Sequence, residues 1–429
     1  MRPKWFNLIH ACRRWRRIVF ASSTRLDLCL FASNRNPRNI QTIFSPHLSP
    51  VPVAIEYDCR QDSHMNAKTF GCMLAPLERR NRMRGIYFSG QGPDFDELFK
   101  VNNRPFPILE ILDLELCLDL RIAELELPAT FLKESAQNLR RLTLARISPT
   151  STSSILSSAK MLIELRLKIC TPFSTESLLA SLHGMHCLRR LELDLQVRKA
   201  PNSINGPMPP TNPGDTFLLS KLTFFRYEGP SLFLSALVAG FIPTSLQDIH
   251  IELDDDDEVP IFHLTRFLDD AEKLYHSVQV TIHDEYPRAR FYSEPGDHTP
   301  SFIFSLKGYS DLIMRMSSAL SAKLSAVEEL FIFVNDNCTY RSLRDHNVLL
   351  PSFLQHFRSV KVLRVKHYDV PNLANTLQPD GEPILDVLPM LEEINIRTSD
   401  VSERQLAAFH PFIAARQEAG RPVKLSASP

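Results

Sequence analysis

One short pattern recurs along this chain and limits what it can fold into: apolar-x-x-apolar-x-apolar. It is read in LEILDLELC from Leu109, LRRLTLARI from Leu139, LIELRLKIC from Leu162 and LRRLELDLQ from Leu188. Later copies are LQDIHIELD from Leu246, VEELFIFVN from Val327, VKVLRVKHY from Val360 and LEEINIRTS from Leu391. The closing apolar-x-apolar positions alternate with period two, as in a strand that buries one face. Such a strand needs neighbours on both edges, so a repeated one predicts a stack. The steps are 30, 23 and 26 residues from Leu109 to Leu188, 24 from Leu222 to Leu246, and 33 and 31 from Val327 to Leu391.

Short amphipathic segments precede most of these strands: ATFLKESAQN, SSILSSAK, TESLLASLHGM, FLSALVAGFI, DLIMRMSSALSAKL and LPSFLQHFRS. Helix and strand therefore alternate. A doubly wound βαβ sheet is one architecture that fits. The recurring x-x-L-x-L consensus resembles the leucine-rich repeat, and that resemblance covers about three quarters of the chain. It implies an α/β solenoid, or horseshoe, of strand-helix units. Cys117, Cys170 and Asn335 stand where that family prefers asparagine or cysteine, in the turn after the strand.

Upstream of Leu109 the pattern is weaker. RLDLCLF (Arg25 to Phe31), VPVAIEY (Val51 to Tyr57) and RMRGIYFSG (Arg82 to Gly90) read as strands, and Leu74 to Arg80 as a short helix. Three stretches interrupt the stack: Ala200 to Asp215, rich in proline and glycine; Asp254 to Glu258, DDDDE; and His283 to Ser301, a long excursion. The end, Phe409 to Ser426, reads as a helix, a Gly-Arg-Pro turn and a strand from Val423 to Leu425 that caps the stack. The division expected is 1–25, a partial F-box-like helix (below); 26–100, degenerate repeats; and 101–429, the solenoid with its cap.

Composition narrows the function class. Lysine plus arginine equals aspartate plus glutamate, 49 against 49, so no whole-molecule charge draws the chain to nucleic acid or an anionic membrane. The longest apolar run, Phe233 to Ile242, is too short to span a bilayer and stops at Pro243; it reads as a buried helix. Eight scattered cysteines without a C-x-x-C pair fit reduced, mostly buried thiols in the cytoplasm or nucleus. The consecutive carboxylates Asp254 to Asp257 lack the alternating spacing of a calcium loop, and His283, Asp284 and Glu285 do not project to one side. Neither set is taken as a metal site, and no cofactor is expected. The nucleophile-elbow, zincin, P-loop and dinucleotide motifs are all absent, so a non-enzymatic protein is expected.

The N-terminal stretch is basic, with nine lysines and arginines through Arg38 against the single Asp27. Trp5, Leu8, Ile9, Cys12, Trp15 and Val19 fall on one side at helical spacing, while Arg16 breaks the pattern. An amphipathic helix capping a core and a nuclear-localisation or nucleic-acid patch are both compatible with these residues. WFNLIHACRRWRRIVFASSTRLDL also resembles the closing third of an F-box, of the type W-x-x-L-x-x-V-C-[KR]-x-W-R found in fungal proteins with leucine-rich repeats. The opening L-P-x-E/D-[IVL] helices of that motif are not in the sequence, which makes it an F-box truncated at the N-terminus. The resemblance implies contact with a Skp-type adaptor of a cullin-RING ligase through Trp5, Leu8, Ile9, Cys12 and Trp15. It implies that the repeats hold an unknown protein target. A repeat scaffold with no ubiquitin role is the alternative.

What a repeat offers is a surface. The positions flanking each leucine pair are Asp113 and Glu115, Thr143 and Ala145, Arg166 and Lys168, Glu192 and Asp194, His250 and Glu252, Phe331 and Phe333, Arg364 and Lys366, and Asn395 and Arg397. Most of the charges read as cross-strand pairs worth about 0.2–1 kcal/mol each. Phe331, Phe333, Arg364 and Lys366 stand apart: two aromatics where solvent is expected, beside two cations, the ingredients of a protein-binding site.

Overall fold

The computed structural model describes residues 12–14, 17–18, 29–33, 51–59, 70–71, 74–101, 105–117, 124–128, 131–132, 135–170, 174–195, 216–253, 265–268, 275–282, 288–294, 302–306, 320–334, 351–366, 370–378, 386–397 and 406–428. The chain is α/β and divides into two compact units, Met1–Pro207 and Met208–Pro429. The boundary falls inside the proline-rich stretch Ala200 to Asp215, which lies outside the described residues.

Among its described residues the first unit holds seven strands in chain order: β1 Leu30–Ser33, β2 Val53–Asp58, β3 Met83–Gly90, β4 Ile111–Leu116, β5 Arg141–Ala145, β6 Glu164–Ile169 and β7 Arg190–Leu195. Each pairs parallel with the next. The leucine pairs do what their alternation predicts: Leu112, Leu114, Leu142, Leu144, Leu165, Leu167, Leu191 and Leu193 are all at most 2% exposed. Parallel neighbours need a crossover, and α1 Gly92–Val101, α2 Pro149–Ser158 and α3 Thr175–His183 lie in three of them, β3 to β4, β5 to β6 and β6 to β7. Ser148 caps α2 by accepting from the Ser151 amide at 3.4 Å, with Pro149 opening the helix. Ser174 caps α3 by accepting from the Ser177 amide at 3.3 Å. Ile155, Leu156, Leu178 and Leu182 then bury their side chains with the strand leucines.

The short helix expected over Leu74 to Arg80 takes 3-10 form, as Ala75–Glu78 and Arg80–Arg82. The buried Arg82 explains part of this: its Nε and Nη2 donate to the Val51 carbonyl at 3.0 and 2.9 Å, tying the turn to the start of β2. ATFLKESAQN gives only a 3-10 turn, Ala136–Asn138, among the described residues. Its Ser135 is fully buried and accepts from the Phe106 amide.

The second unit contains β8 Phe217–Leu218, β9 Phe224–Gly229, β10 Phe241–Ile242, β11 Asp248–Leu253, β12 Ser277–Ile282, β13 Arg288–Tyr292, β14 Phe302–Leu306, β15 Glu329–Val334, β16 Val362–Lys366, β17 Glu393–Arg397 and β18 Lys424–Ser428. Its main sheet runs β9-β11-β14-β13-β12-β15-β16-β17-β18. The long excursion expected over His283 to Ser301 instead contains a strand, β13. It lies antiparallel between β12 and β14, and two reversals restore the common direction. RARFY turns Ala289 and Phe291 inward, at 1% and 0% exposure, and Arg288 and Arg290 to the other face.

The apolar run near residue 233 forms the helix α4 Ser231–Gly240, but Phe241 and Ile242 leave it to pair with β8. Further helices are α5 Val370–Leu377 and α6 His410–Glu418. The C-terminal expectation is met with a slightly later strand: β18 pairs parallel with β17. Gly420, at φ +73°, ends α6 in a Schellman turn: its amide bonds the Gln417 carbonyl at 3.0 Å and the Arg421 amide the Arg416 carbonyl at 2.8 Å. Arg416, fully buried, donates from Nη2 to the carbonyls of Pro389 and Leu391, both at 3.1 Å. That contact fixes α6 against the chain entering β17.

Candidate functional site

The strand register decides which outward side chains meet. In the first unit Tyr87, Asp113, Thr143, Arg166 and Glu192 form one cross-strand row, and Ser89, Glu115, Ala145, Lys168 and Asp194 the next. The charges find partners one strand over. Arg166 meets Glu192 at 2.9 Å and Lys168 meets Asp194 at 2.9 Å. Nearer the strand starts, Arg141 meets Glu164 at 2.7 Å, and Arg84 meets Glu110 at 2.8 Å. Burial pushes the Asp113 carboxyl up to about 6, with the Glu115 charge adding to it and Arg166 and Arg141 opposing. These rows hold four carboxylates, Asp113, Glu115, Glu192 and Asp194, against two cations, and both cations are paired.

At the ends of β2 and β4 lies a feature that sequence reading missed. Cys59 Sγ donates to Cys117 Sγ at 2.9 Å, and Ser89 Oγ lies 3.2 Å from Cys117. Burial, then the Cys117 contact, pushes the Cys59 thiol up to about 12, so Cys59 is protonated and a poor nucleophile at neutral pH. Cys117 and Cys170 directly follow β4 and β6, their amides donating to the Gly90 carbonyl at 2.8 Å and to Glu124 Oε1 at 3.0 Å. The described cysteines are half-buried or, for Cys12, exposed, where mostly buried thiols were expected. Asn335 lies outside the described residues.

In the second unit one row reads Phe331, Arg364, Asn395, Ser426, and Lys366 faces Arg397 in the next. The rings of Phe331 and Phe333 stack with centroids 6.4 Å apart. Three cations lie over them: Arg364 at 5.2 Å and Arg397 at 5.8 Å from the Phe331 ring, and Lys366 at 5.3 Å from that of Phe333. The expectation of two solvent-facing phenylalanines is corrected here. Phe331 is half-buried and Phe333 is 9% exposed, because the cation stems of the next two strands cover them. The structure thus brings together all four residues named from sequence and adds Arg397, which sequence reading had placed on the surface without joining it to the group.

Carboxylates sit to one side of this patch. Glu329 meets Arg364 at 3.3 Å and lies 3.9 Å from His276 Nε2. Glu393 accepts from Ser426 and from Asn395 Nδ2, the latter at 3.5 Å, and the Ser426 bond holds its carboxyl below the ordinary range. Arg397 is exposed and makes no ion pair among the described residues.

Of the adaptor-contact set, Trp5, Leu8, Ile9 and Trp15 lie outside the described residues, as do Asp254 to Glu258, His283 to Glu285 and His298. Cys12 is exposed, and Arg13, Arg14, Arg17 and Ile18 are helical and exposed. Among the described residues no three histidine, cysteine, aspartate or glutamate side chains converge to hold a metal. No helix among them is long and apolar enough to cross a membrane. No protein-family model matches the sequence, and no curated protein matches it.

Proposed function

We propose that this chain is the substrate-recognition subunit of a Skp–cullin–F-box ubiquitin ligase, built as a leucine-rich-repeat solenoid and working in the cytoplasm or nucleus. It performs no chemistry itself. The N-terminal helix touches the adaptor through Trp5, Leu8, Ile9, Cys12 and Trp15, and the outward face of the second unit holds the target through Phe331, Phe333, Arg364 and Lys366. Catalysis is by proximity: a target lysine is held near a charged ubiquitin carrier, which raises its effective concentration.

The observation that carries the recognition half is the aromatic–cation cluster on β15 to β17. Its side chains are held in place by strand register, with Arg364 and Arg397 over one ring and Lys366 over the other. Preorganised aromatic and arginine side chains are what binding hot spots are made of. The ligase half rests on the F-box resemblance.

The test is co-purification of a Skp-type adaptor with the full chain. Retention of the adaptor, lost in Trp5→Ala and Trp15→Ala, supports the assignment. No retention, with target capture intact, leaves a repeat scaffold without a ubiquitin role.

A further inference from the structure

The outward rows of the two units carry different charge, and the difference identifies a class of partner. On β5 to β7 those rows hold Thr143, Ala145, Arg166, Lys168, Glu192 and Asp194, two cations against two carboxylates paired at 2.9 Å. On β15 to β17 the equivalent rows hold Phe331, Phe333, Arg364, Lys366, Asn395 and Arg397, three cations and no carboxylate. Among the described residues, the acids Glu329 and Glu393 lie in the row before and are engaged by Arg364 and by Ser426 and Asn395.

We infer that the β15–β17 face binds an extended acidic peptide segment of a partner protein, its carboxylates seated on Arg397, Lys366 and Arg364 above the two phenylalanines. This deepens the recognition reading above and rests on it. Three physical points favour this occupant. First, the cation heads are already placed over aromatic rings, so little side-chain freedom is lost when a carboxylate arrives. Second, Arg364 and Lys366 stand two residues apart on one strand, about 6.6–6.8 Å, which is the spacing of alternate side chains on an extended peptide. An Asp-x-Asp segment running along β16 therefore presents one carboxylate to each, and Arg397, whose guanidinium also lies over the Phe331 ring, adds a second cation beside Arg364. Third, guanidinium forks grip carboxylates in two-point fashion.

A nucleic-acid strand fits less well. Its bases need exposed aromatic faces on which to stack. Here Phe333 is 9% exposed, and a cation already lies over each ring. The chain as a whole also carries no excess of positive charge.

The experiment uses the full chain and fluorescence polarisation of three labelled probes: the peptide Gly-Ser-Asp-Leu-Asp-Ser-Gly, its Asn-Leu-Asn analogue, and a single-stranded oligothymidylate. Arg397→Gln is the primary variant because Arg397 is exposed, and Lys366→Gln is the second; unchanged thermal unfolding shows each is folded. The Asp-Leu-Asp peptide is expected to bind, to weaken about tenfold in either variant, and to outbind its Asn analogue by a similar factor. Equal binding of the Asn analogue, with the same loss in Arg397→Gln, overturns the acidic assignment and leaves recognition by this face standing. Preferential binding of oligothymidylate, lost in Arg397→Gln, overturns it in favour of a nucleic acid. Binding of all probes unaffected by both variants removes the acidic assignment and recognition by this face together.

Discussion

The two units solve the same burial problem and carry different side chains on their outward faces. Inward, Leu142, Leu144, Leu165 and Leu167 of the first unit match Leu330, Ile332, Leu363, Val365, Ile394 and Ile396 of the second, all at most 2% exposed. Outward, the first unit places each cation beside a carboxylate one strand over. The second places three cations, Arg364, Lys366 and Arg397, over phenylalanine rings, with Arg364 also meeting Glu329 one strand over. An inward face is set by volume and hydrophobicity and admits few solutions. The outward face is free to differ, and the cation-rich rows of the second unit are where we propose that a partner is recognised.

The largest effect expected concerns what the units share. Leu165→Ala and Ile394→Ala, both at fully buried positions, should each cost about 2–5 kcal/mol in chemical denaturation. A negligible cost in only one unit would show that the two inward faces are not equivalent.

The next prediction separates them by pH. The native Asp113 carboxyl titrates near 6, above its ordinary value, so between about pH 4 and 6 the native state binds more protons than the unfolded chain. Stability is therefore lost as pH rises through that window. Asp113→Asn should stabilise the protein by about 1–2 kcal/mol at pH 7.5 and leave it unchanged at pH 3.5, read from denaturation midpoints. A gain equal at both pH values would mean that its burial, and not its ionisation, is unfavourable.

Smaller effects sharpen the contrast. Phe331→Leu keeps an apolar side chain but removes the ring beneath Arg364 and Arg397, and should cost about 0.5–1 kcal/mol. A double-mutant cycle on Lys168 and Asp194 should return a coupling of about 0.2–1 kcal/mol that shrinks with added salt. Salt-insensitive coupling would argue against a screened surface pair.

What could be read from the sequence follows from range. Period-two alternation within six residues located β4 to β7, β11 and β15 to β17, since a leucine's side of a strand is set by its neighbours. The same alternation is present in RARFY, yet β13 was read as part of an excursion because Pro287 and the Pro295–Gly296 pair around it signal loop more strongly. That β12 lies beside β15, with β13 and β14 folded back, depends on pairing across dozens of residues, which no local pattern encodes. The candidate site divides the same way. Phe331, Phe333, Arg364 and Lys366 stood out as outward positions, whereas Arg397 over the Phe331 ring depends on the β15–β16–β17 register. The Cys59–Cys117 contact likewise joins residues 58 apart in the chain.

The central claim is that recognition belongs to the second unit's outward face and not to the first's. The direct measurement is binding of the labelled Asp-Leu-Asp peptide to the full chain carrying either Arg397→Glu or Arg166→Glu. The account predicts that reversal at Arg397 abolishes binding, while reversal at Arg166 changes it less than twofold. Loss of binding at Arg166 with retention at Arg397 would contradict it.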